Sequence, residues 1–505
     1  MITANNLNQY IFHKDLSENL DLVRGIITFD DYKPIFLVML FFRLIKTIKM
    51  ENNSDYKIKI IAEEDNGIYF DKQKIILPKE SDFDYLLSKS HLNNNSSRFE
   101  EAIYQFISKN HTLFKNNNFG LSNNKTKYVE IKESDLLFRK LFNMVEKINS
   151  KLSKDKVSIE AGKIFESYIS YFSLIDSRNA GQSYTQSSLN ELLVKLIPPK
   201  NSQTIYDPAC GTGSLLLSFN NYFIENHKDE DNCLLFGQEI NATTHAIAIL
   251  NMILHDNLSH TLELGNTLLD PKFIDQNSNL IQFDIAISNP PFTLNNWGYD
   301  ELINDKFKRF TFGMPPKSKG DFAFILHMIN SINDNGRMGI IVPNGVLFRS
   351  GSEAEIRKNL IEKNLIDAVI GLPEKLIFGS NIPIVVLILK KNKNHNNIKF
   401  IDASKKFIFD KNLNSLSKEN IDEIVTAYKN KDNVVDFSYN ATINEIRDNE
   451  YNLNISRYIK HKEINIKVDL DAIQEEHNNL KKELHILENE MQSYLNEWGL
   501  KDKYL

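Results

Sequence analysis

Apolar and polar positions follow two patterns along this chain. Between residues 205 and 389, short apolar runs recur, and most are closed by Gly, Pro, Asp or Asn. They include Ile205-Tyr206, Leu234-Leu235-Phe236, Leu262-Glu263-Leu264, Phe283-Asp284-Ile285-Ala286-Ile287, Ile340-Ile341-Val342 and Ile384-Val385-Val386-Leu387-Ile388-Leu389. Runs this short read as buried strands, and the mostly apolar stretch from Ala242 to Leu254 between two of them reads as a helix. Alternating strands and helices predict an α/β fold with a doubly wound, Rossmann-like sheet over residues 156–395.

Outside that region the period changes. Residues 1–155 read as a mainly helical domain. Ile35 to Ile45 is a strongly apolar helix candidate, with Pro34 suited to its first turn. Polar breaks at Asn93-Asn94-Asn95-Ser96-Ser97 and Asn116-Asn117-Asn118 read as loops. A charged break from Lys390 to Asn397 leads into a C-terminal extension, 396–465. The last part, 466–505, is expected to form one long helix from about Leu470 to Glu497. Its apolar positions Ile473, Leu480, Leu484, Leu487, Met491 and Leu495 fall mostly at three- and four-residue steps, with charges between. A helix with one apolar stripe must bury it. Packing on the chain's own N-terminal part is one solution, and docking onto partner helices is the expectation here.

Composition narrows the class. A chain of 505 residues with 42% hydrophobic content can build two or three domains with real cores. Cys210 and Cys233 form neither a disulfide framework nor a metal-ligand spacing, and no His/Glu cluster suggests a metal. The start lacks a charged segment followed by an apolar one, and Val38-Met39-Leu40-Phe41-Phe42 ends at Arg43, far too short to span a membrane. A soluble cytoplasmic protein is expected. The net charge of −6 is unusual for a chain that would grip DNA alone, because phosphate contacts supply most non-specific affinity. Lys306, Lys308, Arg309, Lys317 and Lys319, interleaved with Phe307, Phe310 and Phe312, are the local exception. Basic residues among aromatics suit backbone clamping and base stacking.

The candidate chemistry starts at Asn289-Pro290-Pro291-Phe292, directly after an apolar run. Two prolines cannot continue a ladder, so the chain leaves the sheet there in a fixed, extended turn. In open α/β sheets the carboxyl ends of strands are where ligands bind. The Asn289 side-chain oxygen and the Pro290 carbonyl are placed to accept the protons of an exocyclic amine on a flat base. Phe292 is placed to stack on that base. Accepting both protons makes the nitrogen a better nucleophile.

Upstream, Asp207-Pro208-Ala209-Cys210-Gly211-Thr212-Gly213 reads as a glycine-rich turn between a strand and a helix. Glycines let backbone approach a ligand closely, and the helix start offers free N–H groups. The dinucleotide fingerprint G-x-G-x-x-G fails at Leu216, and no G-x-x-x-x-G-K-[ST] loop occurs. A short turn of this kind suits S-adenosylmethionine, which has no pyrophosphate. Glu239, at the end of the next strand, can hold the two ribose hydroxyls of an adenosine. Asn266, in the loop after the third strand, can bond the adenine.

In this order the motifs resemble the amino-methylating DNA methyltransferases, closest to the modification subunit of type I restriction-modification systems, over roughly residues 10 to 460. Gly181-Gln182-Ser183-Tyr184-Thr185 looks like the family's segment that closes over the methionine end of the cofactor. Gly320-Asp321-Phe322-Ala323-Phe324, Pro343-Asn344-Gly345-Val346-Leu347-Phe348, Phe378-Gly379-Ser380-Asn381-Ile382-Pro383 and Tyr451-Asn452-Leu453-Asn454-Ile455 match it further. One departure is Asn266, where the family commonly has Asp.

The resemblance implies an N6-adenine methyltransferase acting on double-stranded DNA. It implies S-adenosylmethionine as cofactor, held by Tyr184, Thr185, Asp207, Pro208, Gly211, Thr212, Gly213, Glu239 and Asn266. The catalytic turn would be Asn289, Pro290, Pro291 and Phe292. It also implies a separate DNA-specificity subunit and, in some systems, a restriction subunit. Two other readings of the turn remain open here: a methyltransferase of protein glutamine, and an N4-cytosine DNA methyltransferase.

Overall fold

A computed structural model describes residues 27–50, 67–70, 73–115, 134–150, 157–180, 187–227, 233–255, 257, 259–377, 382–409, 414–460 and 470–497. Up to Ile459 these residues form one compact unit, and Lys460 to Leu505 belong to a second.

The first unit opens with helices α1 (Phe29–Met50), α2 (Phe83–Lys89), α3 (Asn95–Lys109), α4 (Ser134–Ser150) and α5 (Val157–Ala180). A small antiparallel hairpin, Gly67–Phe70 with Gln73–Ile76, interrupts them. Pro34 lies inside α1, not in its first turn. The Thr28 hydroxyl accepts from the Asp31 N–H and its carbonyl from the Tyr32 N–H, so the helix starts before the apolar run does. Residues Ile35 to Phe42 are all buried, which explains a helix apolar on every side. The polar stretch Asn93–Ser97 is only partly a loop, because α3 begins at Asn95. There the Asp135 carboxylate accepts from the Asn94 and Asn95 N–H groups, a partner that local composition does not reveal. Asn116–Asn118 lie outside the described residues.

Then come α6 (Ser187–Leu196), β1 (Thr204–Asp207), α7 (Ser214–Asn226), β2 (Leu234–Glu239), α8 (Ala242–Leu254), β3 (His260–Leu264), β4 (Phe283–Ser288), α9 (Asp321–Asn330) and β5 (Ile332–Pro343). After them follow α10 (Ser352–Glu362), β6 (Ile366–Gly371), β7 (Ile384–Lys390), β8 (Ile398–Asp402), α11 (Lys418–Lys429) and β9 (Ser438–Ala441). The nine strands form one sheet in the order β9-β8-β6-β7-β5-β4-β1-β2-β3. Strands β3, β2, β1, β4 and β5 are parallel, β7 runs antiparallel between β5 and β6, and β9 closes the far edge antiparallel to β8. The sheet thus continues past residue 395 into the C-terminal extension.

From β1 the chain steps outward to β2 and β3, then crosses back to β4 on the other side of β1. That reversal creates a crevice at the carboxyl ends of β1 and β4, where ligands bind in open α/β sheets. Strands β6 and β7 are buried from Ile366 to Gly371 and from Ile384 to Leu389, as expected where helices cover both faces. Ile205, Leu235, Ile285, Ile287, Ile341 and Val386 share one core layer with the N-terminal helices; Tyr206, Ala286, Ile340, Val342 and Leu387 belong to the other. Helix α8 joins the sheet to the N-terminal helices, packing against β2 and β3 and against α1 and α5. This explains why His245 to Leu254 are buried on all sides.

In the second unit the described element is α12, Leu470–Glu497. Its Leu480, Leu484, Leu487 and Met491 are exposed. The side chains of Ile473 and Leu495 lie outside the described set.

Candidate active site

Strand β1 ends in Asp207, whose Oδ1 accepts from the Ala209 N–H at 2.9 Å, turning the chain sharply into the glycine loop. Gly211 and Gly213 follow with φ of 55° and 79°, a region that side chains with a Cβ rarely adopt. A Cβ on Gly213 would strike Met252 at 2.8 Å, while one on Gly211 would meet nothing within 4 Å. The Gly213 side is packed shut, and the Gly211 side is an open cradle. Helix α7 then starts at Ser214, presenting its first N–H groups beside the loop.

Glu239 closes the cradle from β2. One carboxylate oxygen accepts from the Gly211 N–H at 3.1 Å and the other from the Asn241 N–H at 2.8 Å. Burial raises this carboxyl above its ordinary range, opposed by those backbone bonds. Burial pushes the Asp207 carboxyl up to about 7, with the Ala209 and Ser288 bonds pulling the other way and the Glu239 charge adding to the rise. Two partly desolvated carboxylates beside a glycine cradle make an environment that favours a cationic ligand.

The loop after β3 is tied to this centre from below. Thr267 Oγ1 donates to the Pro208 carbonyl at 2.5 Å. The buried Gln238 side chain donates to the Asp270 carbonyl and accepts from the Lys272 N–H. Asn266 Oδ1 accepts from the Leu268 and Leu269 N–H groups at 3.0 and 3.2 Å. The Asn266 side-chain oxygen thus braces the loop; its amide nitrogen has no such bond in the loop. Thr212 gives its carbonyl to Asn251 Nδ2 at 3.1 Å. Tyr184 and Thr185 lie outside the described residues.

Strand β4 delivers the Asn-Pro-Pro-Phe turn beside Asp207. The fully buried Ser288 donates to Asp207 Oδ1 at 2.8 Å. Asn289 is half-buried, Pro290 buried, Pro291 exposed, and Phe292 half-buried against the core. Thr293 follows with φ of 50°, strained for a β-branched residue. Its N–H donates to buried Asp321 at 3.0 Å, and Arg349 bonds the other Asp321 oxygen at 2.8 Å. The Gly320 N–H and Leu294 carbonyl add a further tie at 3.0 Å. The strained turn is thus held by α9 and by the loop after β5.

The basic stretch after the turn does not behave as a clamp throughout. Arg309 is fully buried, paired with Asp305 at 2.8 Å and donating to the Leu268 carbonyl and to His327 Nδ1. An arginine can only donate, so His327 Nδ1 accepts and its Nε2 faces the Tyr206 hydroxyl at 2.9 Å. Burial and the Arg309 charge depress the His327 pKa far below its usual value and keep it neutral. Phe310 and Phe312 pack against the core, and Lys317 pairs with Asp300. Charge composition gave no means of telling a buried arginine from a surface one. Gln238, Thr267 and Ser288 were also missed, because their roles come from neighbours distant in sequence. Among the described residues, no group of three His, Cys, Asp or Glu is arranged to hold a metal ion, and no helix is long and apolar enough to cross a membrane.

The N-6 DNA Methylase family model matches residues 157–467, more than half of the chain. The chain belongs to the N-6 DNA methylase family. It is 39% identical over 337 residues to the type I restriction enzyme MjaVIII methylase subunit of Methanocaldococcus jannaschii, covering 64% of this chain and 57% of that one. To the MpnII methylase subunit of Mycoplasma pneumoniae it is 34% identical over 339 residues, covering 64% and 62%. The chain thus spans about six tenths of the length of these curated relatives. A crystal structure of a type I restriction-modification system methyltransferase subunit from Streptococcus thermophilus superposes with a TM-score of 0.72 at 26% identity, over 90% of this chain and 99% of that one.

Proposed function

We propose that this chain transfers a methyl group from S-adenosylmethionine to the N6 amine of adenine in double-stranded DNA, as the modification subunit of a type I restriction-modification system. The observation that carries this is the Ser288–Asp207 bond. It sets the amine-binding turn and the glycine cradle side by side across the crevice. The cradle fits the cofactor: Gly211 leaves open space, and Glu239 stands at its rim. Tyr184, Thr185, Pro208, Thr212, Gly213 and Asn266 complete the cofactor-binding set in this reading.

The bound cofactor supplies an electrophilic methyl on a sulfonium. The chain's residues do the rest. The target adenine must leave the duplex, since its amine is unreachable within the stack. Phe292 stacks on the extruded ring. The Asn289 side-chain oxygen and the Pro290 carbonyl accept hydrogen bonds from the two amine N–H groups and aim the nitrogen lone pair at the methyl. The C–N bond forms as the S–C bond breaks, and the surplus amine proton passes to water. Most of the rate comes from orientation and amine polarisation, and no covalent enzyme intermediate is needed. The Asp305–Arg309–His327–Tyr206 chain beneath the crevice keeps its floor rigid.

The family match favours adenine over glutamine side chains or the cytosine amine as acceptor. The reading includes a DNA-specificity subunit, because the chain carries a net charge of −6 and its basic stretch is partly buried. A restriction subunit and a cytoplasmic location belong to the same reading. The test is transfer of labelled methyl from S-adenosylmethionine. Label in N6-methyladenine after adding a specificity subunit supports it. Label in protein glutamine or in N4-methylcytosine instead overturns it.

A further inference from the structure

The loop after the catalytic turn, residues 293–320, has internal structure of its own. The Gly320 N–H donates to the Leu294 carbonyl at 3.0 Å and closes its base. Trp297 is buried, with Nε1 donating to the Pro316 carbonyl at 3.0 Å. This loop meets the loop after β3 at two places. Gly298, at φ 96°, sits so close to Leu269 that a Cβ would lie 2.4 Å from its Cδ2. At the second place Arg309 enters. Its neighbours Lys306 and Lys308 are exposed, while Arg309 is fully buried. Its Nε and Nη2 donate to the Asp305 carboxylate at 2.9 and 2.8 Å. Nη2 donates also to the Leu268 carbonyl at 2.7 Å. Nη1 donates to His327 Nδ1 at 3.2 Å and reaches the Thr267 carbonyl at 3.5 Å. Every N–H of the guanidinium fork is thus engaged. Thr267 in turn donates from Oγ1 to the Pro208 carbonyl at 2.5 Å.

Charge pairing is a weak reason for a guanidinium in this place, because a buried ion pair is seldom more stable than apolar residues of the same size. What apolar residues lack is direction. A planar fork fixes two carbonyls of one loop against a carboxylate of another. We infer that Arg309 is a positioning residue. It sets the loop that follows the catalytic turn in register with Thr267 and Leu268, next to Asn266. Through Thr267 it sets both in register with Pro208, at the start of the glycine turn. This inference rests on the function proposed above, in which the first loop continues from the turn that holds the target adenine and the other two face the cofactor. The alignment of amine and methyl then depends on Arg309, which touches neither. A misplacement of the reacting groups by about 1 Å costs up to about a hundredfold in rate.

The test combines calorimetric titration of S-adenosylmethionine into the full chain with turnover of the chain assembled with a specificity subunit. If the wild-type chain binds no cofactor, the proposed function fails and this inference falls with it. If it binds, the deciding variant is Arg309→Lys, which keeps a cation for Asp305 and lacks the fork. Its cofactor Kd should rise severalfold, and its kcat at saturating cofactor and DNA should fall about tenfold or more. A purely structural ion pair would give the opposite pattern: a lower melting temperature, with Kd and kcat intact below the melt. Thr267→Val has nearly the same shape without the hydroxyl and leaves the Asp305 pair untouched. It should raise Kd severalfold, and the double variant should lose less than the product of the two single losses, since both act on one loop. Wild-type Kd and kcat in a folded Arg309→Lys overturn the inference. Where Arg309→Lys does not fold, wild-type Kd and kcat in Thr267→Val overturn it.

Discussion

The Ser288 hydroxyl donates to Asp207 Oδ1 at 2.8 Å, joining the carboxyl ends of two neighbouring strands that lie 81 residues apart in sequence. Asp207 shares that oxygen with the Ala209 N–H, so one atom sets both the entry to the glycine loop and the exit of β4. Asn289 is the next residue along. One buried carboxylate therefore ties the start of the Asn289 turn to the glycine loop.

That carboxylate gives a pH dependence. The Asp207 pKa is raised from 3.8 to about 7 by burial. The folded chain binds this proton more tightly than the unfolded chain. Its contribution to stability is fully present below pH 4 and is lost as pH rises through about 7. A cationic cofactor favours the ionised form, so affinity should rise with pH over the same range and binding should release protons near neutrality. Calorimetry in buffers of different ionisation enthalpy measures that release. Asp207→Asn should abolish most of it. Equal proton release in the variant would assign the titration to another group.

Asn289→Ala should leave cofactor affinity within about twofold and reduce methyl transfer by about a hundredfold or more, the scale seen when one preorganised polar partner is removed. Single-turnover kinetics with saturating cofactor and DNA separate the two. Near-normal transfer in the variant would remove Asn289 from the chemistry.

Glu239→Ala deletes the acceptor for the Gly211 and Asn241 N–H groups as well as the expected contact with the ribose. Each charged hydrogen bond to the ligand is worth roughly 1.5–3 kcal/mol. Kd should therefore rise at least tenfold by calorimetry. Unchanged affinity would make Glu239 a brace for the loop alone.

Asp321→Ala removes the acceptor of the Thr293 N–H and one of the two carboxylates that pair with Arg349, which keeps Glu353 at 3.1 Å. Removing one member of a buried ion pair costs roughly 3 kcal/mol or more, and Arg349 keeps 20% of its side chain exposed, which holds the loss at the low end. The variant should also lose transfer rate, because Thr293 sits at φ 50° only while its N–H is held. Thr293→Asn, a residue that tolerates this region, should be neutral or stabilising in a thermal melt. A large loss in Thr293→Asn would show that the threonine side chain, and not the backbone, matters there.

How much of this was legible in the sequence follows from which interactions are local. Strand ends carry their own signals: Asp207 before Pro208, Asn289 before Pro290-Pro291, and the paired glycines Gly211 and Gly213 mark where the chain leaves the sheet. Helix α8 was readable end to end, because Asn241 caps it through the Thr244 N–H and its apolar run is unbroken. The rest depended on distant partners. Arg309 reads as a surface cation until Asp305 and His327 are seen to enclose it. Asn266 also braces its own loop, its oxygen accepting from the Leu268 and Leu269 N–H groups, a second role that composition does not reveal. Pro34 reads as a helix start, yet the helix begins earlier, at Phe29.

The last expectation concerns the C-terminal helix. Leu480, Leu484, Leu487 and Met491 are more than half exposed and recur at three- and four-residue steps along α12. Exposed leucines at that spacing form a seam that gains by pairing with another helix, at roughly 25 cal/mol for each Å² of apolar surface covered. In the reading proposed here, the partner is the specificity subunit. Leu484→Asp with Leu487→Asp would place charges in that seam, where burial without a partner costs several kcal/mol. Co-purification with the specificity subunit should fail. The far-ultraviolet circular dichroism and S-adenosylmethionine affinity of the isolated chain should stay the same, since these side chains are exposed. Loss of the chain's own fold in the double variant would mean that the seam packs within the chain. Efficient methylation of a defined site by the wild-type chain alone would remove the need for a separate specificity subunit.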